Sequence, residues 1–229
     1  LIIGKNKKIF LIANKIKALK IIKEKKLDSK QIINPKKFQN LIKELKGDKF
    51  IIDNLSCSIF NEIIIKLKFK IINKTDPCYK LKSIKNPIEI KNMINAHIED
   101  GLALTKFIFW IKNINKKKIT EIDAKNKLEK FRKLNKNYLF PSFDTIAGTG
   151  SNGAIIHYKV NKKSNKVIKK NDIFLCDSGG QYNYGTTDVT RTICFSEQKK
   201  SIKDAFTNVL KGHIAVAQTN LNKINTGKK

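Results

Sequence analysis

Arginine is nearly missing from this sequence. Arg132 and Arg191 are the only two, and lysine supplies the rest of the 48 basic residues. Set against 19 acidic residues, this leaves a formal net charge of +29, a balance that by itself invites a nucleic-acid partner. The scarcity of arginine argues against one. Proteins that read nucleic-acid sequence use arginine forks on base edges and aromatic platforms beneath bases, and neither is visible here. Lysine is instead scattered among abundant Ile and Asn, the pattern of an AT-rich coding bias. No specific nucleic-acid partner is expected, only weak, salt-sensitive adhesion to polyanions.

Other absences narrow the field further. The four cysteines, Cys57, Cys78, Cys176 and Cys194, form no CxxC pair, which excludes the usual structural zinc spacing. Cys176 and Cys194 lie in apolar runs and read as small buried hydrophobes, consistent with a reducing, cytoplasmic setting. No apolar run reaches the roughly 18 residues of a membrane-spanning helix, so no membrane partner is expected. The opening stretch LIIGKNKKIFLIANK is too interrupted by lysine for a signal peptide. No internal repeat is present. Because the chain starts at Leu1 rather than Met, it is expected to be a piece of a longer protein.

What is present divides into two parts. Residues 1–75 alternate short apolar runs, Lys8–Ala13, Lys49–Asn54 and Phe69–Lys74, with lysine-rich helical stretches. Asn34-Pro35 introduces a helix with Phe38, Leu41, Ile42 and Leu45 on one face, and Ile59, Ile63 and Leu67 mark another. Strands alternating with helices predict an α/β layer. Thr75-Asp76-Pro77 reads as the linker. Beyond it, Asn86-Pro87-Ile88-Glu89 has the residues of a capping box with proline at the first helical position. Ile90, Ile94, Ile98 and Leu102 then predict an apolar stripe, widened by Leu104, Ile108 and Ile111. Thr120 and Asp123 open a second helix through about Leu134, with Leu128 and Phe131 facing inward. Phe143–Tyr158 and Ile173–Phe195 read as strands with turns, joined by a solvated lysine-rich loop over Lys159–Asn171. Ile202, Phe206, Val209, His213 and Val216 mark a last amphipathic helix, where His213 is expected to pack in the core or support the site.

The chemistry concentrates in IFLCDSGGQYNYGTTDVTRTICF, Ile173–Phe195. Asp177 and Asp188 lie eleven residues apart in strand-like runs punctuated by Gly179, Gly180 and Gly185. A hairpin brings two such carboxylates together, and paired oxygen donors suit hard divalent cations. Read alone, the spacing leaves open an ordinary turn role, since Asp bonds local backbone readily. Gly148, Gly150 and Gly153 lack the Lys-Ser/Thr ending of a phosphate loop and read as turns. His97 lies beside a helical stripe and reads as a core or surface histidine.

Three blocks in order change the weight of these residues: FDTIAGTGSNGAIIHY (Phe143–Tyr158), DSGGQYNYGTTDVTRT (Asp177–Thr192) and FTNVLKGHIA (Phe206–Ala215). Together with KSIKNPIEIKNM (Lys82–Met93) they resemble the catalytic domain of the aminopeptidase P family, Xaa-Pro aminopeptidases among the pita-bread metallopeptidases. The resemblance implies an α/β (α+β) chain. Residues 1–75 would be the end of a non-catalytic creatinase-N-like α/β domain, and 76–229 the first part of the pita-bread catalytic domain. It implies two divalent metal ions, manganese first, with cobalt or zinc compatible with oxygen ligands. It implies five ligands in the order Asp, Asp, His, Glu, Glu. Asp177 and Asp188 match the first two, Asp188 as the bridging one, and the other three would lie beyond Lys229.

His157 matches a histidine lining the family's site outside the metal shell. There it would donate a hydrogen bond to the substrate carbonyl or oxyanion; a strand histidine satisfied by backbone is the plain alternative. Arg191, three residues after Asp188, is expected on the opposite face in a structural role. The implied partners are peptides with proline in second position, and a homo-oligomer is left open for the parent. A prolidase- or creatinase-like hydrolase and a non-catalytic pita-bread binding module are the rival readings.

Overall fold

The computed structural model describes residues 1–113 and 118–220. It divides into two compact units, Leu1–Ile84 and Lys85–Lys229.

The first unit carries strands β1 (Ile2–Ile3), β2 (Ile9–Ile12) and β3 (Ile32–Ile33), with helix α1 (Leu19–Lys23) between the last two. There follow α2 (Phe38–Glu44), β4 (Lys49–Ile52), α3 (Ile59–Lys66), β5 (Lys70–Asn73) and α4 (Pro77–Ser83). β4 and β5 pair in parallel across α3, so the expected alternation of strand and helix is present. The core gathers Ile42, Ile52, Ile64, Ile65 and Phe69. The helix read from Ile59, Ile63 and Leu67 exists, but those three residues are exposed and Ile64 and Ile65 form its buried face. At the end of β4, the Asp53 carboxylate accepts the amides of Leu55 at 2.9 Å and Asp76 at 2.7 Å. This holds the Thr75-Asp76-Pro77 stretch to the first unit, where Asp76 caps α4 through the Cys78 amide.

The second unit opens on α5 (Pro87–Lys112). The capping box is formed as its sequence predicts: Asn86 Oδ1 accepts the Glu89 amide and Glu89 Oε2 accepts the Asn86 amide, both at 2.9 Å. Its buried face is another matter. Ile90, Ile94, Ile98 and Leu102 are exposed, and Ala96, Asp100, Ala103, Leu104, Phe107 and Ile111 are buried. The reason is close packing. A Cβ on Gly185 would stand 2.8 Å from the Ala96 Cβ, so this helix face needs small residues where a strand rests on it.

α6 (Glu121–Arg132) starts on the Thr120–Asp123 capping box. Strands β6 (Tyr138–Pro141), β7 (Ile146–Thr149), β8 (Ile173–Ser178), β9 (Gly180–Tyr182), β10 (Gly185–Thr186) and β11 (Val189–Cys194) precede the last helix, α7 (Lys200–Ala217). They build two three-stranded sheets, β11-β8-β7 and β10-β9-β6, all antiparallel. Leu104, Phe107 and Ile111 of α5 and Ala124 and Leu128 of α6 pack on Ala147, Phe174, Cys176 and Ile193 of the first sheet. α7 forms where expected but buries no residue, and its His213 is exposed rather than packed in a core.

Candidate metal centre

Alternation along β8 separates two faces. Phe174, Cys176 and Ser178 are fully buried beneath the helices, and Ile173, Leu175 and Asp177 lie on the half-open side. Burial pushes the Cys176 thiol up to about 11. In register, Asp177 stands opposite Thr190 of β11 and Ile146 of β7. Asp188 lies one residue before β11. The ladder continues through it, because the Thr187 amide donates to Gly180 O at 2.9 Å. Asp188 therefore sits across from Gly179, on the same face as Thr190 and Asp177. The two aspartates are diagonal cross-strand neighbours, a relation that spaces Cα atoms about 7–8 Å apart.

Asp188 is held in place by its neighbour. Thr187 is 1% exposed. Its Oγ1 accepts the Gly180 amide at 2.9 Å and its carbonyl accepts the Ser142 hydroxyl at 2.9 Å. A Cβ on Gly179 would fall 2.0 Å from Thr187 O and 2.3 Å from Ser142 Oγ. Only glycine admits this approach, so the glycine after Ser178 brings the second carboxylate beside the first.

Asp177 Oδ1 is buried and has no hydrogen-bond partner. A carboxylate oxygen removed from water without a donor is costly, and a cation satisfies it. The residues fit a divalent ion on this ground: two hard oxygen donors on one face, one of them with an orphaned oxygen. Among the described residues, no group of three or more His, Cys, Asp or Glu side chains stands close enough to hold a metal ion.

The remaining histidines and Arg191 fall outside this pair. His157 is not on a strand. The strand in its block ends at Thr149, a 3₁₀ turn covers Gly150–Ala154, and His157 occupies the turn that follows. It is exposed, with a left-handed φ of 54°, a conformation uncommon for a residue with a Cβ though enriched for histidine. Arg191 lies opposite Cys176, on the other face from the aspartates as alternation predicts. It is exposed, and its Nη1 donates to Thr190 O at 2.8 Å. His97 is a surface residue whose Nδ1 meets Met93 O at 2.9 Å.

Two buried hubs escape sequence reasoning. Glu121, 0% exposed, accepts from the Thr149 amide at 2.8 Å, Asn152 Nδ2 at 3.0 Å, the Tyr158 hydroxyl at 2.9 Å and the Lys166 amide at 3.1 Å. It anchors both sides of the His157 turn. Arg132 is likewise buried, with its Nε on Asp100 Oδ1 at 2.6 Å. The one available signal was compositional: an arginine in a chain that otherwise chooses lysine.

A family profile described as "Metallopeptidase family M24" matches residues 91–227. A probable Xaa-Pro aminopeptidase P of Podospora anserina is 48% identical over 143 residues, 61% of this chain and 21% of that one. The Xaa-Pro aminopeptidase ApepP of Drosophila melanogaster is 44% identical over 154 residues, 66% of this chain and 25% of that one. The chain spans about a quarter or less of the length of these curated relatives. Among solved structures, the X-prolyl aminopeptidase of Caenorhabditis elegans, described as a cytosolic enzyme with a di-nuclear active site, superposes with a TM-score of 0.68. It is 30% identical, and the match covers 85% of this chain and 35% of that one. The chain is structurally similar to the pita-bread domain of aminopeptidase P, and it belongs to metallopeptidase family M24.

Proposed function

We propose that the full-length protein is a metalloaminopeptidase that removes the N-terminal residue from peptides with proline in second position. The observation that carries this reading is the buried, unpartnered Oδ1 of Asp177 on the same sheet face as Asp188. The naming of the relatives as Xaa-Pro aminopeptidases adds to it.

Asp177 and Asp188 would help to hold two divalent metal ions, manganese first. When bound, such a pair activates water and polarises a carbonyl. The chain's own residues do the rest. The β8–β11 ladder holds the two carboxylates at fixed separation. His157, on its anchored turn, donates a hydrogen bond to the substrate carbonyl as negative charge develops there. In this reading residues 1–75 close a non-catalytic creatinase-N-like domain and 76–229 begin the catalytic one. The setting is cytoplasmic, in keeping with the cytosolic C. elegans enzyme, and no described helix is long and apolar enough to cross a membrane. A non-catalytic binding module would have no need of an orphaned carboxylate oxygen beside a second carboxylate.

The test is a steady-state assay of the full-length protein in manganese on matched Xaa-Pro and Xaa-Ala peptides. Proline lacks an amide N–H and has a fixed φ, so a site shaped for it should leave Xaa-Ala nearly untouched. Equal rates on the two would contradict the specificity.

A further inference from the structure

One buried polar group reaches the metal-holding strand from behind. Arg132, the last residue of α6, is 1% exposed, and Asp100, Ser178 and Tyr182 around it are 2%, 0% and 1% exposed. Its fork is bidentate on Asp100, Nε to Oδ1 at 2.6 Å and Nη2 to Oδ2 at 3.0 Å. The same Nη2 donates to Ser178 Oγ at 3.1 Å, and the Tyr182 hydroxyl donates to Asp100 Oδ1 at 2.8 Å. The network joins α5, α6, β8 and β9 at one point, and that point is the residue directly after Asp177.

A buried ion pair of this kind is a poor source of net stability, because apolar residues of similar size often serve as well. What it supplies is geometry. Lysine, the residue this chain uses almost everywhere else, is a point charge on a flexible stem whose three donors have no fixed fork geometry. A planar fork holds two directions at once. Ser178 faces the helices and Asp177 faces the opposite side, so fixing the Ser178 side chain fixes the backbone from which Asp177 projects. Supporting groups behind a metal ligand are worth roughly 10–100-fold in metal affinity.

We propose that Arg132 is a positioning residue for the metal centre, acting through Ser178 to hold the Asp177 carboxylate in its binding direction. The proposal rests on Asp177 and Asp188 being metal ligands. The probe is manganese alone, titrated calorimetrically into metal-free full-length protein, with a melting curve of each metal-free variant. Ser178→Ala removes the link, along with a contact to the Cys176 thiol, and leaves the Arg132–Asp100 pair intact. It is expected to weaken manganese binding roughly 10-fold while moving the melting temperature by less than about 4 °C. Arg132→Lys, which keeps charge but loses the fork, should weaken binding at least as much; if it fails to fold, Ser178→Ala decides alone. Asp177→Asn and Asp188→Asn serve as references. Should these two lose manganese while Ser178→Ala binds like the wild type, the positioning role is overturned and the ligand assignment stands. Should the two Asn variants bind like the wild type, the ligand assignment fails and this proposal with it. A loss of affinity in Ser178→Ala that merely tracks a large loss of stability would make the network structural only and would overturn the proposal as well.

Discussion

At the scale of single residues, the site is built by what its neighbours cannot be. Gly179 must lack a side chain because Thr187 O would stand 2.0 Å from a Cβ; that contact, more than the aspartate spacing, brings Asp188 into register. Cys176 shows the cost of the other face. It is 1% exposed, and burial raises its thiol from 9.0 to about 11. Below about pH 9 the thiol is neutral in both folded and unfolded chains and its full contribution is present. Between roughly pH 9 and 11 the unfolded chain releases the proton and the folded one does not, so stability falls by about 1.4 kcal/mol per pH unit, roughly 2–3 kcal/mol in all. Tyr138 and Tyr182, whose hydroxyls burial also pushes up, add to the decline at the alkaline end. Urea unfolding from pH 8.5 to 10.5 should show this slope in the wild type and a shallower one in Cys176→Ala; equal slopes would mean that the thiol is not what the pH dependence reports.

At the scale of elements, local chemistry was legible and long-range packing was not. The start of α5 is written in Asn86, Pro87 and Glu89, all within one turn, and it forms as written. Its buried face is decided by partners that arrive later in the chain, α6, the first sheet and β10, so the Ile90–Leu102 stripe points away from the core and Ala96 and Asp100 point into it. For the same reason Asp177 and Asp188 could be paired from the sequence, where strand alternation and the intervening glycines suffice. Arg132 and Glu121 could not, because their partners arrive from α5, β7, β8 and the loop after Tyr158. The His157 block is strand followed by turns, as its glycines suggest: the strand stops at Thr149 and a 3₁₀ turn follows. That turn depends on Glu121. Glu121→Ala leaves the buried Thr149 amide without its acceptor, frees the part-buried Lys166 amide and removes one partner each from Asn152 and Tyr158, and should cost about 3 kcal/mol in denaturant unfolding. A loss under about 1 kcal/mol would show that the hub is dispensable and that the turn is held by other means.

At the scale of the whole molecule, charge and catalysis are separate matters. A formal charge of +29 carried almost wholly by dispersed lysine should give nucleic-acid binding that falls steeply with salt and ignores sequence. Duplex competition at physiological salt checks this, and a preference of about a hundredfold or more for one sequence would overturn it. The catalytic account rests on two carboxylates held on one face of a sheet and on metal ions shared between them. It is tested most directly by elemental analysis of purified full-length protein, wild type and Asp188→Ala, alongside turnover of an Xaa-Pro peptide. The account predicts two divalent ions per chain in the wild type, fewer in the variant, and no turnover by the variant. An Asp188→Ala protein that keeps both ions would contradict it.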